Sequence, residues 1–322
     1  MHAFQLETYD VPPCLRDIPC PQPHANQVQV QIMACGLNFA DLLMLRGSYQ
    51  ERPTLPFTLG MELAGVVTAL GSSVTSLSIG QRVAVFAGMG GLAETGCFPA
   101  DACTPIPDEM SFTDAAAFQI TYGTSHLALD HRARLQAGET LLVMGAAGGV
   151  GLTAVEIGKR MGARVIAMAR GAEKLAIAKA VGADHLIDSD TPDLRTALMD
   201  LGGVDVVYDA VGGPAFTQAM RATKPEGRLI PIGFAGGEVP QIPANHLLVK
   251  NLTVIGLYWG GYPKFAPKTL SRSMATLFDW YKTGGLRPHI SHQLPLSRAA
   301  EALELLRTRK STGKIVVTIQ DV

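Results

Sequence analysis

The chain has 322 residues and a formal net charge of −1, from 27 Lys+Arg against 28 Asp+Glu; 47% of its residues are hydrophobic and 17% charged. At roughly 150 residues per domain, two domains are the starting expectation, and so apolar a composition excludes a disordered chain. The near-neutral balance argues against a dedicated nucleic-acid binder, which carries a basic face or stripe.

No membrane span or secretory signal is expected. The most apolar uncharged stretch, Thr140 to Val155, has 16 residues, contains four glycines and stops at Glu156, short of the roughly 20 residues a spanning helix needs. The start, Met1-His2-Ala3-Phe4-Gln5-Leu6-Glu7, shows no basic segment followed by an apolar run. Five cysteines, at 14, 20, 35, 97 and 103, make an odd number with no C-x-x-C pair, which fits a reduced cytoplasmic compartment better than a disulfide framework.

In chain order, the first 120 residues read as β-rich and barrel-like. Strands are predicted at Val28–Ala34, Gly65–Leu70 and Arg82–Phe86, separated by Pro and Gly punctuation such as Pro19-Cys20-Pro21-Gln22-Pro23. Short helical stretches interrupt them at Ala40–Leu45 and Ser111–Phe118. From Thr140 the pattern changes. Near-continuous Val/Ile/Leu runs at Thr140–Met144, Arg164–Ala169, His185–Ile187, Val204–Tyr208, Arg228–Ile232 and Thr253–Leu257 alternate with helices at Leu152–Met161, Lys174–Val181, Leu194–Asp200, Ala215–Thr223 and Ala244–Lys250. Buried parallel strands have that composition, and Gly162 and Gly182 stand where helix-ending glycines are expected. Six strands joined by crossover helices predict an α/β, doubly wound parallel Rossmann sheet. Two amphipathic helices follow, near Ser271–Thr283 and Ser297–Arg307, with Ser297 as the expected N-cap of the second. The last strand, Lys314–Ile319, has no place in a completed six-strand sheet, so the C-terminus is expected to return to the first domain.

The strongest local signal is Gly145-Ala146-Ala147-Gly148-Gly149-Val150-Gly151, at a strand-to-helix junction. Small residues let the backbone approach a pyrophosphate, and the helix turns its free N–H groups and positive dipole end toward that anion. The spacing is G-x-x-G-x-x-G, because Ala147 takes the usual second glycine; the βα repeats around it supply the context that a bare Gly-rich turn lacks. At the end of the second strand an NAD site places Asp or Glu on the ribose 2′-hydroxyl. This chain has Arg170 there, with Lys174 one helical turn on. A guanidinium can fork onto a 2′-phosphate, so NADPH is expected over NADH; the bland alternative is that both are ordinary solvated charges.

A β-rich domain, a Rossmann domain and a return to the first is the order of the zinc alcohol dehydrogenases. Where those enzymes carry a Cys ligand in C-x-[ST]-D and a His in G-H-E, this chain reads Asn38-Phe39-Ala40-Asp41 and Gly60-Met61-Glu62. Neither Asn nor Met is a normal zinc ligand. The four-cysteine lobe is missing too, and His289 and His292 stand without a nearby Cys or second pair, so no metal is expected.

These segments, with Arg46-Gly47-Ser48-Tyr49, Pro56-Phe57-Thr58-Leu59-Gly60-Met61-Glu62-Leu63-Ala64-Gly65 and Gly313-Lys314-Ile315-Val316, give the chain its resemblance to the zinc-independent quinone oxidoreductase branch of the medium-chain dehydrogenase/reductase superfamily, over essentially its whole length. The resemblance implies a catalytic GroES-like domain at 1–121 and 262–322 and an NADPH-binding Rossmann domain at 122–261. It implies an NADPH-dependent reductase of quinones or other electron-poor double bonds, dimeric through the edge of the Rossmann sheet. It places Asn38, Asp41 and Tyr49 at the substrate and nicotinamide, Ala147, Gly148, Gly149 and Val150 on the pyrophosphate, and Arg170 with Lys174 on the 2′-phosphate. Val211 and Gly233-Phe234-Ala235 would border adenosine and ribose, Tyr258 and Trp259 the nicotinamide, and Arg309 would reach the cofactor. Many relatives carry a tyrosine after the third strand, where this chain has Ser189.

Each residue has a plainer alternative. Asn38 and Asp41 could satisfy loop backbone groups, Tyr49 could be a packed aromatic, Trp259 could cover the core, and Glu62 is expected to pair with a base or backbone donors. Without a metal to polarise an alcohol, an electron-poor acceptor is the expected substrate, with Tyr49 and Asn38 as its hydrogen-bond donors. Reduction of 2-alkenals, haloacrylates or enoyl thioesters, and cofactor binding without turnover, are the competing readings.

Overall fold

The computed structural model describes residues 1–320. The chain forms two compact units, one from residues 1–120 with the segment from Arg287 onward, the other from residues 121–286.

The first unit begins with eight strands: β1 (His2–Leu6), β2 (Cys14–Asp17), β3 (Gln27–Gly36), β4 (Phe57–Thr58), β5 (Glu62–Leu70), β6 (Arg82–Phe86), β7 (Thr95–Pro99) and β8 (Cys103–Pro105). β3 shows why the sequence folds this way: Val28, Val30 and Ile32 are fully buried while Gln29 and Gln31 turn outward, the period of two that a one-sided strand requires. The predicted strands extend further than their β-branched runs, since β3 continues to Gly36 and β5 begins at Glu62.

The second unit holds β9 (Thr140–Met144), β10 (Arg164–Ala169), β11 (His185–Asp188), β12 (Val204–Asp209), β13 (Thr223–Pro231) and β14 (Thr253–Val254). They are parallel and ordered β11-β10-β9-β12-β13-β14. Numbered within the sheet this is 3-2-1-4-5-6, the Rossmann order, with its switch point between β9 and β12. β9 is buried at every residue. β13 begins five residues before the predicted Arg228, its pairing shifted against β12 between Val204 and Val206; the sixth strand stops at Val254.

The domain boundary expected at 261/262 falls instead at 286/287. The helix Pro267–Lys282 belongs to the Rossmann unit because it buries Ser273, Met274, Leu277, Phe278 and Tyr281. There Ser273 Oγ lies 2.8 Å from His126 Nδ1, and Trp280 packs edge-on to the same imidazole and under the Arg160 guanidinium.

The chain then returns to the first unit. β15 (Ile290–Pro295), which the scattered histidines around it did not signal, pairs parallel with β16 (Lys314–Thr318), and β16 pairs antiparallel with β3. They extend the larger sheet to β15-β16-β3-β5-β6-β8, with β7 on β3; β2-β1-β4 forms a small second sheet. Ser297 is not the N-cap expected of it. It lies within a short turn, Leu296–Arg298, and the helix Ala299–Arg307 starts after Arg298 without a side-chain cap.

Candidate active site

In the Rossmann unit, parallel strands bring their C-terminal ends to one edge of the sheet, and most predicted cofactor residues stand there. Gly145 follows β9 with φ +75°, a conformation L side chains rarely adopt, and opens the tight turn. A Cβ on Gly151 would lie 2.1 Å from the Gly145 carbonyl oxygen, so only glycine lets helix Gly149–Arg160 pack this close to the turn. Gly148 caps that helix with no side chain, and no acidic residue occupies its first turn. The N–H groups and positive dipole end are thus left for an outside anion. Ala147 is buried in the turn without obstructing it. The residues present fit a pyrophosphate.

Two supports lie outside the residues singled out from the sequence. Ser125 Oγ donates to the Val150 carbonyl at 2.9 Å and lies 2.8 Å from Thr153 Oγ1 and 2.9 Å from Tyr208 Oη, which ties the first turn of the phosphate helix to β12. Asp209, at the end of β12, is fully buried and accepts the backbone N–H groups of Val211 (2.8 Å) and Gly212 (3.0 Å). Burial pushes its carboxyl up, and these two N–H groups pull it part of the way back. An Asp at a strand end followed by Ala-Val-Gly-Gly is an Asx-turn signal that was available in the sequence. The turn so formed meets the next one: Ala235 N–H donates to Ala210 O (3.1 Å), Gly236 N–H to Val211 O (2.8 Å) and Gly233 N–H to Asp209 O (3.3 Å). Phe234 stands exposed on that loop.

Beyond β10, Arg170 is exposed and Lys174 lies in the first turn of helix Ala172–Ala180. Ser189 donates its N–H to Ala169 O at 3.0 Å, next to Arg170. After β14, Tyr258 is exposed, whereas Trp259 is buried with its indole edge over Gly123.

Asn38, Asp41, Tyr49 and Arg309 belong to the first unit. Arg309 ends helix Ala299–Arg307 in the left-handed region, φ +57°, with its side chain exposed. Tyr49 packs partly buried against the core. Asn38 and Asp41 enter a buried network. Asp41 Oδ2 accepts the Asn38 N–H at 2.8 Å, starting helix Phe39–Met44. Lys314 Nζ donates to Leu37 O (2.8 Å), Asn38 Oδ1 (2.8 Å) and Glu62 Oε1 (2.6 Å). Asn38 Nδ2 donates to Glu62 Oε1 (3.0 Å) and Gly36 O (3.3 Å), and Ile120 N–H reaches Glu62 Oε2 at 3.0 Å. Burial raises the Asp41 carboxyl to about 6, against the pull of the Asn38 N–H and the Lys314 charge. Both amide hydrogens of Asn38, expected to serve the acceptor, have partners within the protein. Asp41 likewise faces the helix start. Glu62 pairs as anticipated, with a base and a backbone donor. Lys314 was missed as its partner, since 252 residues separate the two. Met61 is buried in the core, and the described residues contain no cluster of three or more His, Cys, Asp or Glu that could hold a metal.

A Rossmann sheet with an uncapped phosphate helix and a separate β-rich unit define the class: a dinucleotide-binding oxidoreductase built on two domains. The family models that match carry the descriptions "Alcohol dehydrogenase GroES-like domain", over residues 24–108, and "Zinc-binding dehydrogenase", over 149–278. A quinone oxidoreductase-like protein 2 homolog of Nematostella vectensis is 44% identical over 298 residues, 91% of this chain and 81% of that protein. The quinone oxidoreductase of Thermus thermophilus, solved also as its complex with NADPH, superposes with a TM-score of 0.87 at 33% identity, covering 99% of this chain and 100% of its own. The human synaptic vesicle membrane protein VAT-1 homolog is 32% identical over 92% of this chain and 80% of its own length. The chain belongs to the quinone oxidoreductase branch of the medium-chain dehydrogenase/reductase superfamily. It is an oxidoreductase of that superfamily with a nicotinamide-dinucleotide site, and none of its described helices is long and apolar enough to cross a membrane.

Proposed function

We propose that the protein is a zinc-free, NADPH-dependent reductase of quinones or other electron-poor, enone-type acceptors. The observation that carries this reading is what fills the zinc-ligand positions of alcohol dehydrogenases: the Asn38 amide, spent on Lys314 and Glu62, beside the buried Met61. An amide oxygen held by the Lys314 ammonium and a thioether buried in the core offer zinc no ligand set, so the acceptor has to delocalise incoming charge itself. When bound, reduced nicotinamide supplies the hydride.

The chain's own residues do the rest. The uncapped turn Ala147–Val150 holds the pyrophosphate, and Arg170 with Lys174 binds the 2′-phosphate, the contact that favours NADPH over NADH. Ser189 stands beside that phosphate, Val211 and Gly233–Ala235 border adenosine and ribose, Tyr258 and Trp259 the nicotinamide, and Arg309 completes the cofactor site. Tyr49 is the donor to the acceptor oxygen, with Asn38 and Asp41 fixing the helix that leads to it. The free cysteines support a reducing, cytoplasmic setting. A homodimer through the edge strand β14 is supported by the neighbouring helix Ala244–Lys250, which leaves Leu248 76% and Val249 70% exposed.

Steady-state oxidation of NADPH against a panel of a quinone, an enone, a 2-alkenal, an enoyl thioester and a simple alcohol, with and without chelator, tests the reading. Turnover with the quinone or enone, indifferent to chelator, is expected. Chelator-sensitive alcohol oxidation would overturn it, and tight NADPH binding without turnover on any acceptor would favour a binding role instead.

A further inference from the structure

The last residues of β10 and β11 are register partners, Ala169 opposite Asp188, so the chain leaves both strands side by side. The two loops are knitted by Asp188, whose Oδ2 accepts the Gly171 N–H (3.0 Å) and whose Oδ1 accepts the Asp190 N–H (2.9 Å). Both Asp188 oxygens thus serve backbone donors, and that turn aims the next carboxylate outward. Asp190 Oδ1 lies 3.3 Å from Arg170 Nε, with the two side chains 67% and 71% exposed. The carboxylate that an NAD site carries at the end of the second strand is here displaced onto the loop of the third, and it meets the arginine.

We propose that Asp190 is a specificity-determining residue: it is the resident partner of Arg170, competes with the cofactor 2′-phosphate for the guanidinium, and so narrows the preference for NADPH over NADH. This rests on the assignment of Arg170 to the 2′-phosphate. A 2′-phosphate arriving at Arg170 has to share or displace the carboxylate and is repelled by it, whereas a 2′-hydroxyl meets neither obstacle. Because both side chains are exposed, the exchange carries little desolvation cost and the effect is bounded by what a surface pair is worth. Lys174, in the first turn of the following helix, is the second cation assigned to the 2′-phosphate, and Glu173 in the same turn is a further carboxylate there.

The test is equilibrium binding, by fluorescence titration or calorimetry, of NADPH, NADH, adenosine 2′,5′-bisphosphate and adenosine 5′-monophosphate to wild type, Asp190→Asn, Arg170→Ala and the double variant. Asp190→Asn is expected to tighten NADPH and the bisphosphate by about two- to fivefold and to leave NADH and the monophosphate unchanged. The gain should shrink at high salt and vanish in the Arg170→Ala background. Asp190 has no such role if Asp190→Asn leaves NADPH affinity unchanged while Arg170→Ala weakens it; the Arg170 assignment then stands. Selective loss of NADH in Asp190→Asn would make Asp190 a ribose ligand and overturn the competition. If Arg170→Ala affects neither cofactor, the assignment and the proposal fall together.

Discussion

Lys314 in the first unit and Arg170 in the second are both cations paired with a carboxylate, and burial makes them different objects. Lys314 and Glu62 meet at 2.6 Å with side chains 5% and 1% exposed, and all three ammonium hydrogens have protein acceptors. Arg170 meets Asp190 at 3.3 Å in solvent. A buried ion pays a desolvation penalty of several kcal/mol unless every hydrogen bond is made, so such a charge is committed to the fold. An exposed pair is worth at most about 1 kcal/mol, which leaves its cation free to be recruited by a stronger anion. The same ion-pair chemistry serves as an internal fastener in one unit and, under the proposed function, as a ligand contact in the other.

The sharpest way to break this contrast is Lys314→Met. It leaves Glu62 buried without its cation and should cost about 3–5 kcal/mol in urea unfolding, while adding Glu62→Gln should restore part of the loss. A cost below about 1 kcal/mol would mean that water reaches the pair and that the two cations are alike after all.

Asp41 sharpens the buried side through pH. Its carboxyl lies at about 6 in the folded protein against an ordinary 3.8. The folded chain therefore holds more protons than the unfolded one between those values, and stability should fall as pH rises through that window. A difference of about two pH units corresponds to about 3 kcal/mol, fully expressed above pH 6. Asp41→Asn keeps an acceptor for the Asn38 N–H and should flatten the wild-type slope in denaturation measured at a series of pH values. An unchanged slope would assign the titration to other groups.

On the exposed side, Arg170→Ala should weaken NADPH binding by about 1.5–3 kcal/mol, ten- to hundredfold, with NADH almost untouched. Its effect on unfolding should stay within about 0.5 kcal/mol, as for most surface substitutions. Equal losses for both cofactors, or a clear loss of stability, would place Arg170 with Lys314 among the residues that serve the fold.

The smallest expected effect belongs to Tyr49, which stands between the two extremes as a half-buried group with a polar tip. Removing one neutral hydrogen bond is worth about 0.5–1.5 kcal/mol, so Tyr49→Phe should lower kcat about two- to tenfold with little change in NADPH affinity. Enones should suffer more than quinones, because their reduction creates a more basic oxygen. If Tyr49→Phe turns over both acceptors like wild type while Tyr49→Ala mainly lowers Tm, the ring is packing and solvent is the proton source.

Local pattern alone determined a large part of this protein. The β9, β10 and β6 spans, the helices Leu194–Asp200 and Ala244–Lys250, and the glycine turn at 145–151 follow from periodicity and backbone sterics within a few residues. The return of Lys314–Thr318 to the first unit followed from counting strands against the places a Rossmann sheet offers. Other features depend on partners far apart in the chain. Lys314 reads as an ordinary basic residue in Gly-Lys-Ile-Val until β16 lies beside β3 and brings it to Glu62; Asn38 reads as a free amide until the same pairing engages it. Ser125, Thr153 and Tyr208 meet only once the helix after β9 rests beside β12. The helix Pro267–Lys282 shows its apolar face in the sequence, but which unit buries that face was decided by the surroundings of His126 and Arg160. Hydrophobic periodicity is a property of neighbours and survives in one dimension. A hydrogen-bond partner for a buried charge is chosen by the fold, because only there does the cost of leaving the charge unpaired arise.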